Sequence, residues 1–279
     1  MKHAPARQRF YELTRLPEEH LPLAESALCI AWEDQGGCDV EAVLQHLDDL
    51  AGSARLRLED LTQPRDVIAA LNDYLFDELG FRGNHWDYNN PANSFIDQVL
   101  ETRTGLPIIL SIIYMEVGWR LGLPINGVAL PGHFIACYRT LQEEIFVDPF
   151  NQGRLWSWND CEQQVSTAYG AATPILMQQV MTPPSKHAIL ARVLRNLKHV
   201  YLVQQDFSRA LAAVERIVWL EPNNMLEIRD RGLLRVRLDH LFQGLEDLER
   251  YIHAAPHAPD LPELQQYTTL LTTGMVSKN

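Results

Sequence analysis

The segment that most restricts the folds open to this 279-residue chain is LPIILSIIYMEVGWRL, residues 106–121, which is apolar on nearly every side. A helix that is apolar all round has to be packed on most of its sides. Pro107 suits the first turn of such a helix, because the N–H that proline lacks would be unpaired there in any case. The sequence therefore predicts a central helix surrounded by other layers of structure.

Helical patterns precede this segment and short strand patterns follow it. Apolar residues at helical spacing indicate helices over 21–32, 40–56 and 65–79, with Asp39 and Ser94 as expected amino-terminal caps of later segments. Three runs of β type come next: INGVAL (125–130), HFIACYR (133–139) and EIFVDPF (144–150). A helical region over 1–80 followed by a central helix and an antiparallel sheet is typical of an α+β fold.

The last third of the chain carries an internal repeat of 34 residues. Three pairs of residues are 34 apart: Lys198 and Gly232, Ala210 and Gly244, and Pro222 and Pro256. This is the period of tetratricopeptide repeats, which are stacked pairs of antiparallel helices. We expect repeats over 191–224 and 225–258 and a capping helix after 259. A plain helical tail with coincidental prolines is the alternative.

Pro183-Pro184 separates the two patterns and sets the expected domains at 1–182 and 185–279, with the core motifs of the first over 94–150. The amino terminus lacks the apolar middle of a secretory signal, and no apolar run reaches the ~18 residues of a membrane span. We therefore expect a cytoplasmic protein without a membrane partner. The oligomeric state stays open.

Charge and cysteine content argue against several classes of function. The chain has 24 Lys and Arg against 36 Asp and Glu, a formal net charge of −12, whereas nucleic-acid binding requires a basic surface. The cysteines show neither a C-x-x-C pair nor a histidine at ligand spacing: Cys29, Cys38, Cys137 and Cys161. We therefore expect no nucleic-acid partner, no metal and no cofactor.

The predicted hairpin 133–148 brings together the side chains best suited to chemistry. A turn centred between Thr140 and Leu141 would place His133 directly opposite Asp148, where a carboxylate can orient an imidazole base. A pair that only stabilises the hairpin is the alternative. Cys137 is excluded as their nucleophile, because four residues of strand separate it from His133 by ~13 Å. Ser111, on the central helix, is a candidate, unless its hydroxyl bonds back to the preceding turn.

Five short motifs resemble the transglutaminase-like fold, and more narrowly a bacterial family named after an invasion-gene regulator. They are R-x-G-x-P at 103–107, L-S at 110–111, R-L-G-L-P at 120–124, P-G-H-F at 131–134 and D-P-F at 148–150. The resemblance implies a papain-like core with a tetratricopeptide tail, so it covers most of the chain. The family's name implies an association with gene expression rather than a reaction.

The resemblance also implies a catalytic triad of Cys, His and Asp, and this chain departs from it at the Cys. His133 and Asp148 match the His and the Asp, whereas an ungapped alignment places Pro107 at the Cys position, with Ser111 one turn deeper on the same face. One hypothesis is an inactive core whose repeat tail binds a protein or peptide. The alternative is a Ser-His-Asp hydrolase or acyl transferase acting on a peptide or amide, with the first-turn amides of Ile108 and Ile109 as an oxyanion hole.

Three other features have two interpretations each. The polar loop 81–93 could form a rim over the cleft or a self-packed loop anchored by Trp86 and Tyr88. Arg103 could pair with Glu116 or be solvated. The family's name also suggests a DNA-binding regulator, which would use a basic cluster on one tail helix. A solvated helix face is the other explanation of this cluster. It consists of Arg192, Arg195, Lys198 and His199.

Overall fold

Five α-helices precede the central segment in the computed structural model, which describes residues 4–276. They are α1 (Ala4–Leu13), α2 (Leu23–Gln35), α3 (Val40–Leu58), α4 (Pro64–Asn72) and α5 (Ile96–Thr102). Asp39 caps α3 as predicted, because its carboxylate accepts a hydrogen bond from the amide of Ala42 at 3.0 Å. The helix predicted over 65–79 changes its winding, since α4 continues as π-helix over Asp73–Glu78.

The cap predicted at Ser94 is wrong. Ser94 is the last residue of a 3₁₀ turn, Pro91–Ser94, and Phe95 occupies the cap position of α5 in extended conformation. The Ser94 hydroxyl is buried and has no hydrogen-bond partner within residues 4–276. The tight turn holds Ser94 in helical conformation, whereas a capping residue needs extended backbone.

The central helix is α6 (Pro107–Arg120), and every residue from Pro107 to Gly118 is buried. Helices α2, α3 and α5 contact α6, as do the first two strands that follow it in the sequence. Gly118 allows the close approach of the first of these strands, because a Cβ there would lie 2.4 Å from Cδ1 of Ile125. The helix is apolar on nearly every side because other helices and strands pack on most of its sides, as predicted.

Four antiparallel strands form the sheet beside α6. They are β3 (Ile125–Val128), β4 (Ile135–Arg139), β5 (Glu144–Asp148) and β6 (Arg154–Trp156), adjacent in that order. Two further strands, β1 (Arg82–Gly83) and β2 (Thr104–Gly105), form a short parallel pair. Helices α7 (Trp158–Tyr169) and α8 (Pro174–Met181) add a smaller apolar cluster that includes Cys137, Phe146 and Cys161. This arrangement confirms the predicted α+β fold class.

The predicted hairpin register is wrong by two residues. Ala136 pairs with Val147 and Arg139 with Glu144, and His133 precedes β4 instead of standing opposite Asp148. The turn is centred one residue later than predicted, between Leu141 and Gln142. Thr140 closes it there, because its hydroxyl accepts from the Glu143 amide and its own amide donates to the Glu143 carbonyl. Since side chains alternate with a period of two, this shift leaves each side chain on its predicted face.

The chain divides into two compact units between Ile189 and Leu190. The second unit is all-α, and the helices of the tail are α9 (Lys186–Val203), α10 (Phe207–Leu220), α11 (Met225–Arg237), α12 (Leu241–Ala254) and α13 (Leu261–Val276). At the crossing of α11 and α12, a Cβ on Gly244 would lie 2.6 Å from Val236. Within residues 4–276, no helix has the length and apolar character needed to cross a membrane.

Candidate functional site

His133 and Asp148 are in direct contact despite the change of register. Nε2 of His133 lies 2.8 Å from Oδ2 of Asp148. Asp148 ends β5 and is completely buried, while the His133 side chain, in the turn before β4, is 12% exposed. The structure therefore joins two of the three residues that the sequence singled out.

The Asp148 carboxylate also caps the 3₁₀ turn Pro149–Asn151. Its Oδ1 accepts from the amides of Phe150 and Asn151 at 3.1 and 3.3 Å, and its Oδ2 accepts from Nδ2 of Asn151 at 2.7 Å. Burial acts to raise the pKa of Asp148, but the hydrogen bonds from His133 and Asn151 outweigh it and hold that pKa below its ordinary value of 3.8. The group is therefore an anion that four hydrogen bonds hold in place.

Two aromatic rings fix the orientation of the His133 imidazole. The Trp156 ring stacks on it at 5.5 Å and 21°, and the Phe150 ring meets it edge-on at 6.0 Å. Because Nε2 contacts Asp148, proton exchange with a nucleophile would use Nδ1. The pair thus has the geometry of a base held by its orienting carboxylate.

Ser111 is fully buried on α6, and its hydroxyl donates to the main-chain carbonyl of Phe134 at 3.3 Å. This bond runs across to the segment that carries His133, not back to the preceding turn of the helix. The hydroxyl would have to leave the Phe134 carbonyl before its proton could pass to His133. The structure therefore bonds Ser111 to the residue that follows His133, through the main chain and not through the imidazole.

The start of α6 offers neither a nucleophile nor the expected pair of open amides. Pro107 is the first helical residue and is buried. The amide of Ile109, expected to point into an oxyanion hole, instead donates to the carbonyl of Leu106 at 3.1 Å. This amide of the predicted oxyanion hole is therefore used in the helix's own hydrogen bonding.

Asparagines, rather than Trp86, anchor the polar loop. Asn93 donates to the carbonyl of Asp87 at 2.6 Å and accepts from Nδ2 of Asn84 at 2.9 Å, and Asn90 bonds to the Asp87 carboxylate. The Trp86 side chain is 99% exposed. These asparagine hydrogen bonds were not predicted from the sequence, although the high asparagine content of the loop indicates side chains that bond to nearby main chain.

Of the two interpretations of Arg103, the pairing with Glu116 is wrong. Glu116 accepts from Arg120 one turn later and from the amide of Ala24 at 2.9 Å. Arg103 lies over the Phe81 ring at 4.8 Å, at the left-handed end of α5 with φ of 60°. The left-handed turn directs the guanidinium towards Phe81 instead of α6.

Two buried cysteines have thiol pKa values that do not suit a nucleophile for the His133–Asp148 pair. Burial raises the pKa of Cys137 to about 11 and that of Cys161 to about 12. Both thiols are therefore protonated at neutral pH. Within the described part of the chain, no three His, Cys, Asp or Glu side chains are placed to hold a metal ion.

Comparison with known proteins places this architecture in a class. Residues 41–195 match the transglutaminase-like superfamily and residues 197–267 match the tetratricopeptide repeat. A UPF0162 protein of Xylella fastidiosa (strain Temecula1) is 35% identical over 246 residues, which are 88% of each chain. The chain therefore belongs to the UPF0162 family of transglutaminase-like proteins.

More distant matches share parts of the chain. A UPF0162 protein of Vibrio cholerae is 29% identical over 203 residues, or 71% of this chain and 74% of its own. F-box only protein 21 of Mus musculus is 35% identical over 130 residues, which are 44% of this chain and 21% of that protein. The solved structure of menin covers 86% of this chain and 68% of its own, with 10% identity and a TM-score of 0.43. The narrower resemblance to the invasion-gene-regulator family stays a prediction.

Proposed function

We propose that this chain is a protein-interaction protein, with a transglutaminase-like core that performs no acyl transfer and a repeat tail that binds a peptide. The observation that carries the proposal is the start of α6, where Pro107 takes the first helical position and offers no nucleophile. Ser111, one turn on, is buried against the carbonyl of Phe134. A base with its orienting carboxylate does not catalyse covalent chemistry without a group to activate.

In this proposal the His133–Asp148 pair stabilises the fold. Asp148 links the end of β5, the following turn and the segment before β4 through its four hydrogen bonds. Losing one partner of such a buried set costs about 1–3 kcal/mol. A structural role is therefore sufficient to explain why the two side chains meet.

The repeat tail supplies a surface for the partner. Residues 34 apart occupy equivalent places on α9, α11 and α13, and one such set is exposed throughout: His199, Leu233 and Tyr267. Leu226 and Leu270 add exposed apolar area on α11 and α13. Stacked helix pairs that present such residues along one face bind extended or helical peptides.

The basic cluster on α9 is neutralised within the tail. Arg195 pairs with Glu227 at 2.8 Å, and Lys198 pairs with Glu227 at 2.7 Å and Asp230 at 2.9 Å. Cations that are already matched by carboxylates release few counterions on binding a phosphate backbone. This pairing supports a protein partner over nucleic acid.

Introduced cysteines test the nucleophile position in the core. We expect the thiol of Pro107→Cys to react with iodoacetamide about tenfold faster than that of Ser111→Cys, because a helix amino terminus favours the thiolate and the assigned nucleophile position would place the thiol beside the imidazole. His133→Ala in the Pro107→Cys background should slow the reaction. Equal rates for the two introduced thiols, measured by peptide mass spectrometry, would contradict the assignment of Pro107 to the nucleophile position.

The hydrolase alternative has one observation in its favour, the 2.8 Å contact between His133 and Asp148. A fluorophosphonate probe on the full chain decides between the two functions. We expect no labelling of the parent protein. Labelling at Ser111 that disappears in both Ser111→Ala and His133→Ala would establish the hydrolase instead.

The tail is tested by affinity capture with the full chain. Leu233→Asp and Tyr267→Asp, on the exposed set, should each lose bound proteins that the parent retains. Phe242→Asp is the control, because Phe242 on α12 is 81% exposed, more than Leu233 and Tyr267 at 37% each, and lies outside that set. Bound proteins that are unchanged by Leu233→Asp and Tyr267→Asp would remove the tail from the proposal.

A further inference from the structure

A second candidate site lies next to the His133–Asp148 pair. It is a cavity of about 370 Å³, within the size range of ligand pockets. Its wall combines the polar loop, β2 and the turn after β5: Arg82, His85, Trp86, Thr104, Asn151 and Gln152. We call it the Arg82 cavity.

The lining of the Arg82 cavity is unusual for so acidic a chain. Among the described residues that line it, none has a carboxylate side chain, although the chain carries a net charge of −12. Arg82 is exposed and, among the described residues, no carboxylate lies within ion-pair distance of its guanidinium. A larger cavity of about 630 Å³, by contrast, contains Glu144 and Glu162. The Arg82 cavity therefore has an unmatched positive charge, which favours an anionic ligand.

Its other polar groups suit a peptide. Asn151 and Gln152 provide side-chain amides and Thr104 a hydroxyl, and amide groups both donate to and accept from a peptide main chain. A guanidinium beside them binds a carboxylate with charge-assisted hydrogen bonds, which are about twice as strong as neutral ones. The lining thus matches a carboxylate that belongs to a peptide.

Trp86 adds a large apolar surface to the wall of the cavity. Its ring is 99% exposed, yet the loop that carries it is held by the hydrogen bonds of Asn84, Asn90 and Asn93. Exposed tryptophans on ordered segments are frequent anchors of protein interfaces, because their large apolar area is buried at a small entropic cost. Trp86 therefore offers a contact for an apolar side chain next to the carboxylate.

We propose that the Arg82 cavity binds an acidic peptide segment of a partner protein. An Asp or Glu side chain of the segment contacts Arg82, its main chain contacts the amides, and a neighbouring apolar side chain packs on Trp86. The site lies in the first unit, so the proposal is independent of the function assigned to the repeat tail.

A peptide array on the full chain tests the site. The probes are acetylated, amidated pentapeptides with Glu, Gln or Lys at the centre and varied neighbours, together with neutral pentapeptides that end in a free carboxylate. We expect the parent to prefer central Glu with an adjacent apolar residue. Arg82→Gln should weaken binding of the Glu peptides about tenfold, the effect of roughly one charge-assisted bond. Trp86→Ala should remove the preference for the apolar neighbour.

Matched controls separate the site from general charge and hydrophobicity. Arg65→Gln removes an exposed arginine that pairs with Glu143, and Leu141→Ala removes a fully exposed apolar side chain; neither residue lines the cavity. Neither control should change the array pattern. Equal binding of Glu and Gln peptides, or a Glu preference that survives Arg82→Gln, would overturn the proposal. Binding of free-carboxylate peptides alone would overturn the side-chain assignment. Thermal melts of each variant establish that it is folded.

Discussion

Asp148 shows at the residue scale how one carboxylate can serve both fold and site. It accepts hydrogen bonds from His133 on one side and from the turn Pro149–Asn151 on the other. A buried anion is tolerated only when such bonds replace its hydration. The geometry that orients His133 is therefore the geometry that the turn requires for its own stability.

Asp148→Asn should lower stability in a pH-dependent way. The pKa of Asp148 in the folded chain is below its ordinary value of 3.8, so its stabilising contribution is complete above that value and is lost as pH falls through the folded pKa. We expect the variant to lose about 1–3 kcal/mol at neutral pH. Thermal melts at a series of pH values should show the difference from the parent shrinking below pH ~4. A gap that stays constant there, or an equal loss in the exposed control Asp60→Asn, would contradict this account.

The native thiols should resist alkylation. The pKa of Cys137 is raised to about 11 and that of Cys161 to about 12, mainly by burial. At pH 8 a thiol of pKa 11 is a thiolate in roughly one molecule per thousand. Peptide mass spectrometry after iodoacetamide should find both residues modified in denaturant and unmodified in the folded protein. Rapid modification of folded Cys161 would show an activated thiol instead.

At the scale of elements, the central helix could be predicted and the hairpin register could not. The apolar pattern of residues 106–121 dictates burial whatever surrounds it, and α6 is buried accordingly. The register depends on a few hydrogen bonds of Thr140 in the turn, which hydrophobic spacing does not encode. The register error is two residues, an even number, so both side chains stay on the predicted face of the hairpin. The contact of His133 with Asp148 was therefore predicted on the right face, although the two residues are not paired across the strands.

The crossing of α11 and α12 should not accept a larger side chain. A Cβ on Gly244 would lie 2.6 Å from Val236 and 3.0 Å from the main-chain oxygen of Gly232. Since backbone cannot yield as a flexible side chain does, Gly244→Ala should cost about 1–3 kcal/mol. Gly52→Ala, in α3, should instead stabilise by about 0.5–1 kcal/mol, because in the described part of the chain no atom outside the adjoining helix backbone would lie within 4 Å of the new Cβ. Urea unfolding followed by circular dichroism measures both; a stabilising Gly244→Ala would contradict the close crossing.

At the scale of the whole molecule, composition and period predicted the architecture better than the site. The α+β class and the tetratricopeptide-type tail follow from patterns that extend over many residues. The site depends on single contacts, such as the bond from Ser111 to the Phe134 carbonyl and the amide of Ile109 bonded within its own helix. Such contacts are set by tertiary packing, which no local pattern in one sequence specifies.

The charge distribution predicts weak binding to polyanions. The net charge is −12, and the α9 cations Arg195 and Lys198 are paired with carboxylates. We expect no retention on heparin and no shift of duplex DNA at physiological salt, where specific binders have Kd values of about 10⁻⁸–10⁻¹¹ M. Lys198→Gln should leave both results unchanged. A tight, salt-sensitive shift of DNA that Lys198→Gln weakens would return the chain to the class of DNA-binding regulators.

The two roles of Asp148 also affect how ancestry is inferred from this fold. A carboxylate that caps a turn is kept by selection for folding alone, so it can outlast a reaction that its lineage has lost. The aspartate and its histidine therefore do not distinguish proteins that keep the ancestral reaction from proteins that have lost it and serve another function. Under the proposed function, the residue at the start of the central helix, proline here, is the position that would separate the two groups.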